Sequence, residues 1–215
     1  IEPHKSPLML DVATGTGRVP LAMLDNPIFQ GRVIGIDLSR KMLKQASKKL
    51  KSHTDRAPLI WGPAENLPFP DDVFDVVTCL ESLEFMSNPE RALQEITRVL
   101  RPGGVLLISN RINTPWMPGR LWSETELCDL LYEYGIDEMQ TEPWQMDYQK
   151  LWGRKAGHTE PTGAIPLGEL LYCPRCPDYP LIERDGEWFC TECKAWTRTA
   201  EDGVIELQPL YTENH

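Results

Sequence analysis

Short apolar runs bounded by glycine, proline and polar residues recur through the first two thirds of the chain, and apolar positions between them return at helical spacing. Leu8–Val12, Ile34–Asp37, Leu59–Trp61, Phe74–Thr78 and Val105–Ser109 read as strands buried on both faces, as in a parallel sheet. Arg18–Leu24 reads as a first helix ended by Asp25-Asn-Pro27. Ser39 is a good N-cap for a second helix through about Lys51, with Met42, Leu43, Ala46 and Leu50 on one face. Its lysines (Lys41, Lys44, Lys48, Lys49, Lys51) form the solvated face. Pro89 sits in the first turn of a third helix, stopped by Gly103-Gly104, and Ser123-Glu-Thr-Glu126 has the capping-box spacing of a fourth, closed by Gly135. Two more strands are expected near residues 136–144 and 148–154. Such alternation predicts an α/β fold, a doubly wound, Rossmann-like, mostly parallel sheet with a ligand over its strand ends.

The chemistry begins where the first strand ends. Leu8-Met-Leu-Asp-Val-Ala-Thr-Gly-Thr-Gly-Arg-Val19 turns from strand to helix through small residues. Gly15 and Gly17 let backbone amides approach a ligand where a Cβ would collide, and the helix that follows offers its positive end. Asp37, ending the second strand, is placed to accept both hydroxyls of a ribose. These features describe a nucleotide-type cofactor site. A dinucleotide fingerprint wants Gly or Ala where this chain has Pro20.

Counted instead as Asp11-x-Ala13-x-Gly15-x-Gly17, the turn resembles motif I of the class I S-adenosylmethionine-dependent methyltransferases, with Ala13 where that family most often has glycine. Ala64-Glu-Asn-Leu-Pro-Phe69, Phe74-Asp-Val-Val77 and Leu100-Arg-Pro-Gly-Gly104 come in the order and rough spacing of its quinone- and sterol-type branch (type 11). The resemblance covers about residues 8–154. It implies a strand order of 3-2-1-4-5-7-6 type, with the last two strands antiparallel at one edge. Asp11, Ala13, Gly15 and Gly17 would form the cofactor turn, Gly15 and Gly17 facing the methionyl part. Asp37 would take the ribose, Leu38 would lie against the adenine, and Ala64 with Glu65 would close its edge. Pro63 stands where the branch often has an aspartate reaching the adenine amino group. Relatives carry one or two helices before the first strand; only seven residues precede it here, so the cofactor mouth is expected to be truncated or open.

Late in the chain, Cys173-Pro-Arg-Cys176 and Cys190-Thr-Glu-Cys193 place two Cys-x-x-Cys pairs at turns. Four thiolates at this spacing suit one zinc in a zinc ribbon better than disulfides. Residues 1–154 are thus expected as the cofactor-binding domain, 155–167 as a linker rich in Gly, Pro and Thr, and 168–215 as the ribbon, the linker keeping the two as separate units. Leu170-Leu-Tyr-Cys173 and Asp202-Gly-Val-Ile-Glu-Leu207 also resemble the small zinc proteins that partner methyltransferases as activators.

Length bounds this plan: 215 residues hold one ordinary α/β domain and a small module. No apolar run approaches the ~20 residues of a membrane span. No signal peptide is visible, and the chain begins at Ile1. Free cysteines and metal spacing make a reducing cytoplasm the expected compartment. The net charge of −10 argues against non-specific affinity for nucleic acid or an anionic surface. From Gly168 onward there are four basic and ten acidic residues, so the ribbon is not expected to bind RNA; Tyr179, Trp188 and Trp196 suit contact with protein, in a partner or in this chain.

Catalytic chemistry is less legible. Candidates fall after the fourth strand, in Cys79-Leu-Glu-Ser-Leu-Glu-Phe85, where Glu81 and Glu84 are placed to orient or deprotonate a hydroxyl acceptor. The segment has no Asn-Pro-Pro-Tyr tetrad for amino methylation, and Cys79 lacks the Pro-Cys context of a cytosine-C5 nucleophile. None of His4, His53, His158 and His215 occupies a general-base position. Trp116, Met117 and Trp122 either line an apolar acceptor site or cover the sheet. The reading is methyl transfer to an oxygen or carbon of a small or lipid-like acceptor. Its rivals are an RNA methyltransferase with an RNA-reading ribbon and a non-catalytic regulator that keeps the fold.

Overall fold

The computed structural model describes residues 6–112, 120–163, 165–208 and the backbone of 211–212. Within them lie strands β1 (Leu8–Val12), β2 (Arg32–Asp37), β3 (Leu59–Trp61), β4 (Phe74–Cys79), β5 (Leu100–Arg111), β6 (Ile136–Trp144) and β7 (Tyr148–Lys155). Helices α1 (Arg18–Leu24), α2 (Arg40–Lys49), α3 (Pro89–Val99) and α4 (Glu124–Glu133) connect them. The tail holds a one-turn helix, α5 (Leu167–Leu170), and β8 (Tyr172–Cys173), β9 (Cys176–Arg184), β10 (Glu187–Cys190), β11 (Ala195–Arg198), β12 (Val204–Glu206) and β13 (Tyr211–Thr212).

The main sheet runs β12-β3-β2-β1-β4-β5-β7-β6. The expected order is present, with one strand added. β1 to β5 are parallel, and β7 and β6 follow as antiparallel partners at one edge. β12, from the cysteine-bearing tail, pairs parallel with β3 at the other edge, and Leu207 N donates to Trp61 O at 3.1 Å.

Alternation sorts the core. Met9, Val33, Leu59 and Val204 point to the layer of α1 and α2, meeting Leu24, Leu43, Ala46 and Leu50. Their neighbours Leu8, Leu10, Ile34, Ile60 and Ile205 join a second cluster that continues through α3 and α4 to Leu171, Leu181 and Trp188. Both faces are therefore apolar, as the runs required.

Three features differ from the sequence expectation. α3 ends at Val99, and β5 begins at once, before the glycines. Its pairing with β4 shifts between Phe74 and Val76, and a Cβ on Gly104 would lie 2.7 Å from Leu100 Cδ1, so the glycine serves a bulge rather than a helix stop. The segment between β7 and α5 is also docked rather than loose. Asp75, 4% exposed, accepts from Leu8 N, Arg101 Nε, Thr162 N and Gly163 N, which pins that segment beneath the amino ends of the strands. Finally, the tail is not a separately packed unit: its core is continuous with that of the main sheet. Arg40 at the start of α2 donates to Asp202 at 2.8 and 2.9 Å and to Glu206 at 3.0 Å, clamping β12 from the side.

Candidate functional site

The turn after β1 is built on left-handed backbone: φ is 56° at Ala13, 56° at Gly15 and 73° at Gly17. Asp11, at 2% exposure, anchors it from behind, accepting Thr14 Oγ1 and Thr78 Oγ1, each at 2.6 Å. Burial pushes its carboxyl up from 3.8 to about 6 against the pull of those two hydroxyls. Asp37 lies across the turn. Its Oδ2 accepts Gly15 N at 2.7 Å and its Oδ1 accepts Ser39 N at 2.7 Å, so one side chain joins the glycine turn to the cap of α2. Trp61 Nε1 donates to Leu38 O and Gly62 N to Asp37 O, bracing the same corner from β3.

These residues wall a cavity of about 550 Å³ at the carboxyl ends of the parallel strands. That is the size of an ordinary small-molecule site. Ala13, Gly15, Asp37, Leu38, Ala64 and Glu65 line it; of the eight residues expected to hold a cofactor, Asp11 and Gly17 do not. Asp11 is buried behind the turn. Gly17 is the N-cap of α1, where a Cβ would fall 3.1 Å from Ala46 Cβ, so its smallness serves helix packing. A Cβ on Gly15 would meet nothing closer than 3.9 Å; its glycine answers to φ and leaves the cavity side open. Glu65 Oε1 accepts Ser87 Oγ and Asn88 N. Burial raises its carboxyl, but those bonds outweigh it and hold the group below its usual range.

At the far end, Glu81, Ser82, Phe85 and Met86 line the cavity, all from the segment after β4. Glu81 is exposed and left-handed (φ 53°), its N–H held by Ser109 Oγ at 2.6 Å. Glu84 is buried behind it, accepting the Tyr148 hydroxyl at 2.5 Å, with Arg111 Nη1 at 3.8 Å. Cys79 is fully buried and its thiol is pushed up to about 12 by burial, which leaves it inert as a nucleophile. Trp122 covers the sheet: it is 6% exposed, its carbonyl accepts Asn110 Nδ2, and Arg120 stacks 3.8 Å from its ring. Trp116, Met117, His4 and His215 lie outside the described residues. Sequence reasoning marked the segment holding Ser82 and Phe85 but gave those two no role, missed Met86, and gave no role to Tyr148 or Gln145. Their only signal is position, just past a central strand or at the hairpin tip that faces it.

The four late cysteines come together. The Sγ atoms of Cys173, Cys176, Cys190 and Cys193 lie within 4.8 Å of one another, and Cys173 and Cys193 are 3.7 Å apart. A tetrahedral zinc with bonds of about 2.3 Å has sulfur–sulfur edges of about 3.8 Å, so the set fits that ion. Backbone amides of Arg175 and Cys176 point at Cys173, and that of Ala195 at Cys193. Trp188 belongs to the shared core and donates to Thr199 Oγ1 at 3.1 Å, so this indole is used within the chain.

Comparison with known proteins agrees with this geometry. Residues 10–108 match the family model described as "Methyltransferase domain". A demethylmenaquinone methyltransferase of Desulfitobacterium hafniense is 35% identical over 121 residues, 55% of this chain and 47% of the relative. A ubiquinone/menaquinone biosynthesis C-methyltransferase of Bordetella avium is 37% identical over 116 residues, 53% of this chain and 45% of the relative. The chain spans about half the length of these relatives. Among solved structures, the [4+2]-cyclase SpnF superposes with a TM-score of 0.63 at 21% identity, covering 71% of this chain and 76% of that one. That likeness shows the fold alone, and the name of this neighbour shows that the fold does not dictate the reaction.

Proposed function

We infer that this chain is a class I S-adenosylmethionine-dependent methyltransferase acting on an oxygen or carbon of a small or lipid-like acceptor. The observation that carries this reading is Asp37, tied to Gly15 N and Ser39 N at the rim of a cavity whose floor is the left-handed turn of Ala13 and Gly15. The residues fit the cofactor: an acid at the end of β2 for the ribose, an apolar Leu38 for the base, a Cβ-free turn at the methionyl end. When bound, S-adenosylmethionine supplies a methyl group already activated on a sulfonium. The chain's own task is alignment, worth more here than acid or base strength. Asp37 would hold the sugar, Leu38, Ala64 and Glu65 the base and its edge. Glu81 stands on the cavity wall at the end away from the glycine turn and is proposed to orient the acceptor's hydroxyl, with Glu84, the other candidate, buried behind it and bonded to Tyr148.

The named relatives favour a quinone-type ring as the acceptor class. We also read the tail as a zinc ribbon, with Cys173, Cys176, Cys190 and Cys193 holding one ion, and the reducing cytoplasm as its compartment. Protein contact by the ribbon is proposed chiefly with this chain's own sheet. Calorimetry tests the central claim. Wild type should bind S-adenosylmethionine and NAD should compete poorly; Asp37→Ala should weaken binding on the order of 30-fold, for the loss of charge-assisted bonds worth about 2–4 kcal/mol. Equal affinity in the variant would remove the assignment. Transfer of labelled methyl to fractionated cell extract would then show whether counts follow lipid, RNA or protein.

A further inference from the structure

Ala64-Glu-Asn-Leu-Pro-Phe69 reads in the sequence as a cofactor motif and Cys173-Pro-Arg-Cys176 as half of a metal site. The fold brings the two against each other. Ala64 and Glu65 line the cavity at the carboxyl ends of the strands. The next residue, Asn66, reaches the tail instead: its Nδ2 donates to Pro174 O at 3.0 Å across 108 positions of sequence. Pro174 lies between Cys173 and Cys176, in the turn that carries two of the four thiols. Two residues on, Pro68 O accepts Tyr172 N at 2.8 Å. The wall of one site is thus bonded to the cysteine turn of the other on both sides of Leu67.

Helix α3 holds the opposite flank of this wall. Glu95 Oε2 accepts Leu67 N at 2.9 Å, and Arg98 donates to Leu67 O at 3.1 Å and to Phe69 O at 2.8 Å. Leu67 and Phe69 lie in one buried cluster with Cys173 and Cys190. A crevice of about 550 Å³ remains between the supports, lined by Asn66, Pro68, Arg98, Tyr172 and Pro174. Asn66 itself is exposed, so its bond to Pro174 sets where wall and turn stand without being part of the core. That carbonyl has a fixed place only when the cysteine turn does. Four thiolates closed on one ion hold such a turn in a single conformation, and four free thiols do not.

We propose that Asn66 is a positioning residue through which the metal site sets the cofactor site. With the turn closed, the Pro174 carbonyl holds Asn66, and the adjoining Ala64 and Glu65 stand ready at the edge of the cofactor's base. The inference rests on the methyltransferase and zinc readings and adds to them a regulation, cofactor affinity that depends on the metal. Coupling between two sites is reciprocal. By whatever factor the metal strengthens cofactor binding, the cofactor strengthens metal binding.

The test uses the full chain. S-adenosylhomocysteine is titrated calorimetrically into zinc-loaded and stripped protein, and zinc affinity is measured by competition with a colorimetric chelator, with and without saturating S-adenosylhomocysteine. The two coupling factors should agree, on the order of 10-fold, the size that two hydrogen bonds supply. Asn66→Ala, and Asn66→Asp, which keeps the size but cannot donate when ionised, should lower both factors together to about 3-fold. Where the stripped chain unfolds, the zinc-loaded variants still report: they should bind S-adenosylhomocysteine about 3-fold more weakly than loaded wild type. A purely structural role would move their melting temperature and leave the coupling alone. Arg40→Ala loosens the tail at β12 instead, and should leave the coupling at its wild-type size. Equal S-adenosylhomocysteine affinity with and without metal, or wild-type affinity and coupling in both Asn66 variants, would overturn the proposal while leaving cofactor binding intact. Failure of the loaded wild type to bind S-adenosylhomocysteine would instead remove the methyltransferase reading, and a chain that takes up no zinc the ribbon reading, each with this inference.

Discussion

Asp11 carries a cost that its position makes unavoidable. Its carboxylate fixes the turn through Thr14 and Thr78, but it does so in full burial, with Asp37 adding a smaller repulsion. A carboxyl whose pKa is raised on folding contributes stability that is full below its unfolded value and is lost as pH climbs through the folded one. For a rise from 3.8 to about 6, the loss between about pH 4 and about pH 7 is about 3 kcal/mol. Asp11→Asn cannot titrate, so denaturant melts should show the difference between variant and wild type moving in the variant's favour by roughly that amount across this window. A constant difference would mean that Asp11 is not the titrating group. Motif spacing made the residue legible but not its role, because four spaced positions do not reveal which of them turns inward. Gly17 misled for the same reason: a glycine that lets a helix pack and one that admits a ligand are written with the same letter.

Among the elements, periodicity was enough to find the parallel strands, since both faces of each are apolar and each is ended by a turn residue or a cap. The capping box at Ser123 and Glu126 is present as its spacing required. Two things stayed hidden. The early start of β5 depends on a bulge, and a bulge has no period of its own. The pairing of β12 with β3 joins residues over a hundred positions apart, and three residues such as Val204-Ile-Glu206 carry too little pattern to name their neighbour. Arg40 secures that pairing with two bonds to Asp202 and one to Glu206, its side chain 26% exposed. Arg40→Ala should therefore cost about 1–2 kcal/mol, more at low salt than at high, where partly exposed ion pairs are screened. Thermal melts at two salt concentrations would check both the size and the trend.

Across the whole molecule, the tail and the sheet share one core, which changes what metal removal should do. Leu171, Leu181 and Trp188 pack in the same cluster as Leu10 and Ile34. A ribbon released by chelation would take that cover with it, so the sheet should not melt as if nothing had happened, as two separate units would allow. Zinc analysis should find one ion per chain, and a chelator should lower the melting temperature of a single cooperative transition rather than split it in two. An unchanged upper transition beside a new lower one would show that the shared core contributes little.

The strand that the tail lends to the sheet also decides what β3 shows to other molecules. With β12 in place, the backbone amides and carbonyls along Leu59–Trp61 are spoken for. A chain cut after β7 would present them bare, next to apolar surface that the tail had covered, and an open edge of this kind recruits strands from neighbouring copies. Removing the tail should therefore favour self-association. Shortened versions should scatter light in proportion to concentration before they lose their helical signal, while the full chain under the same conditions should not.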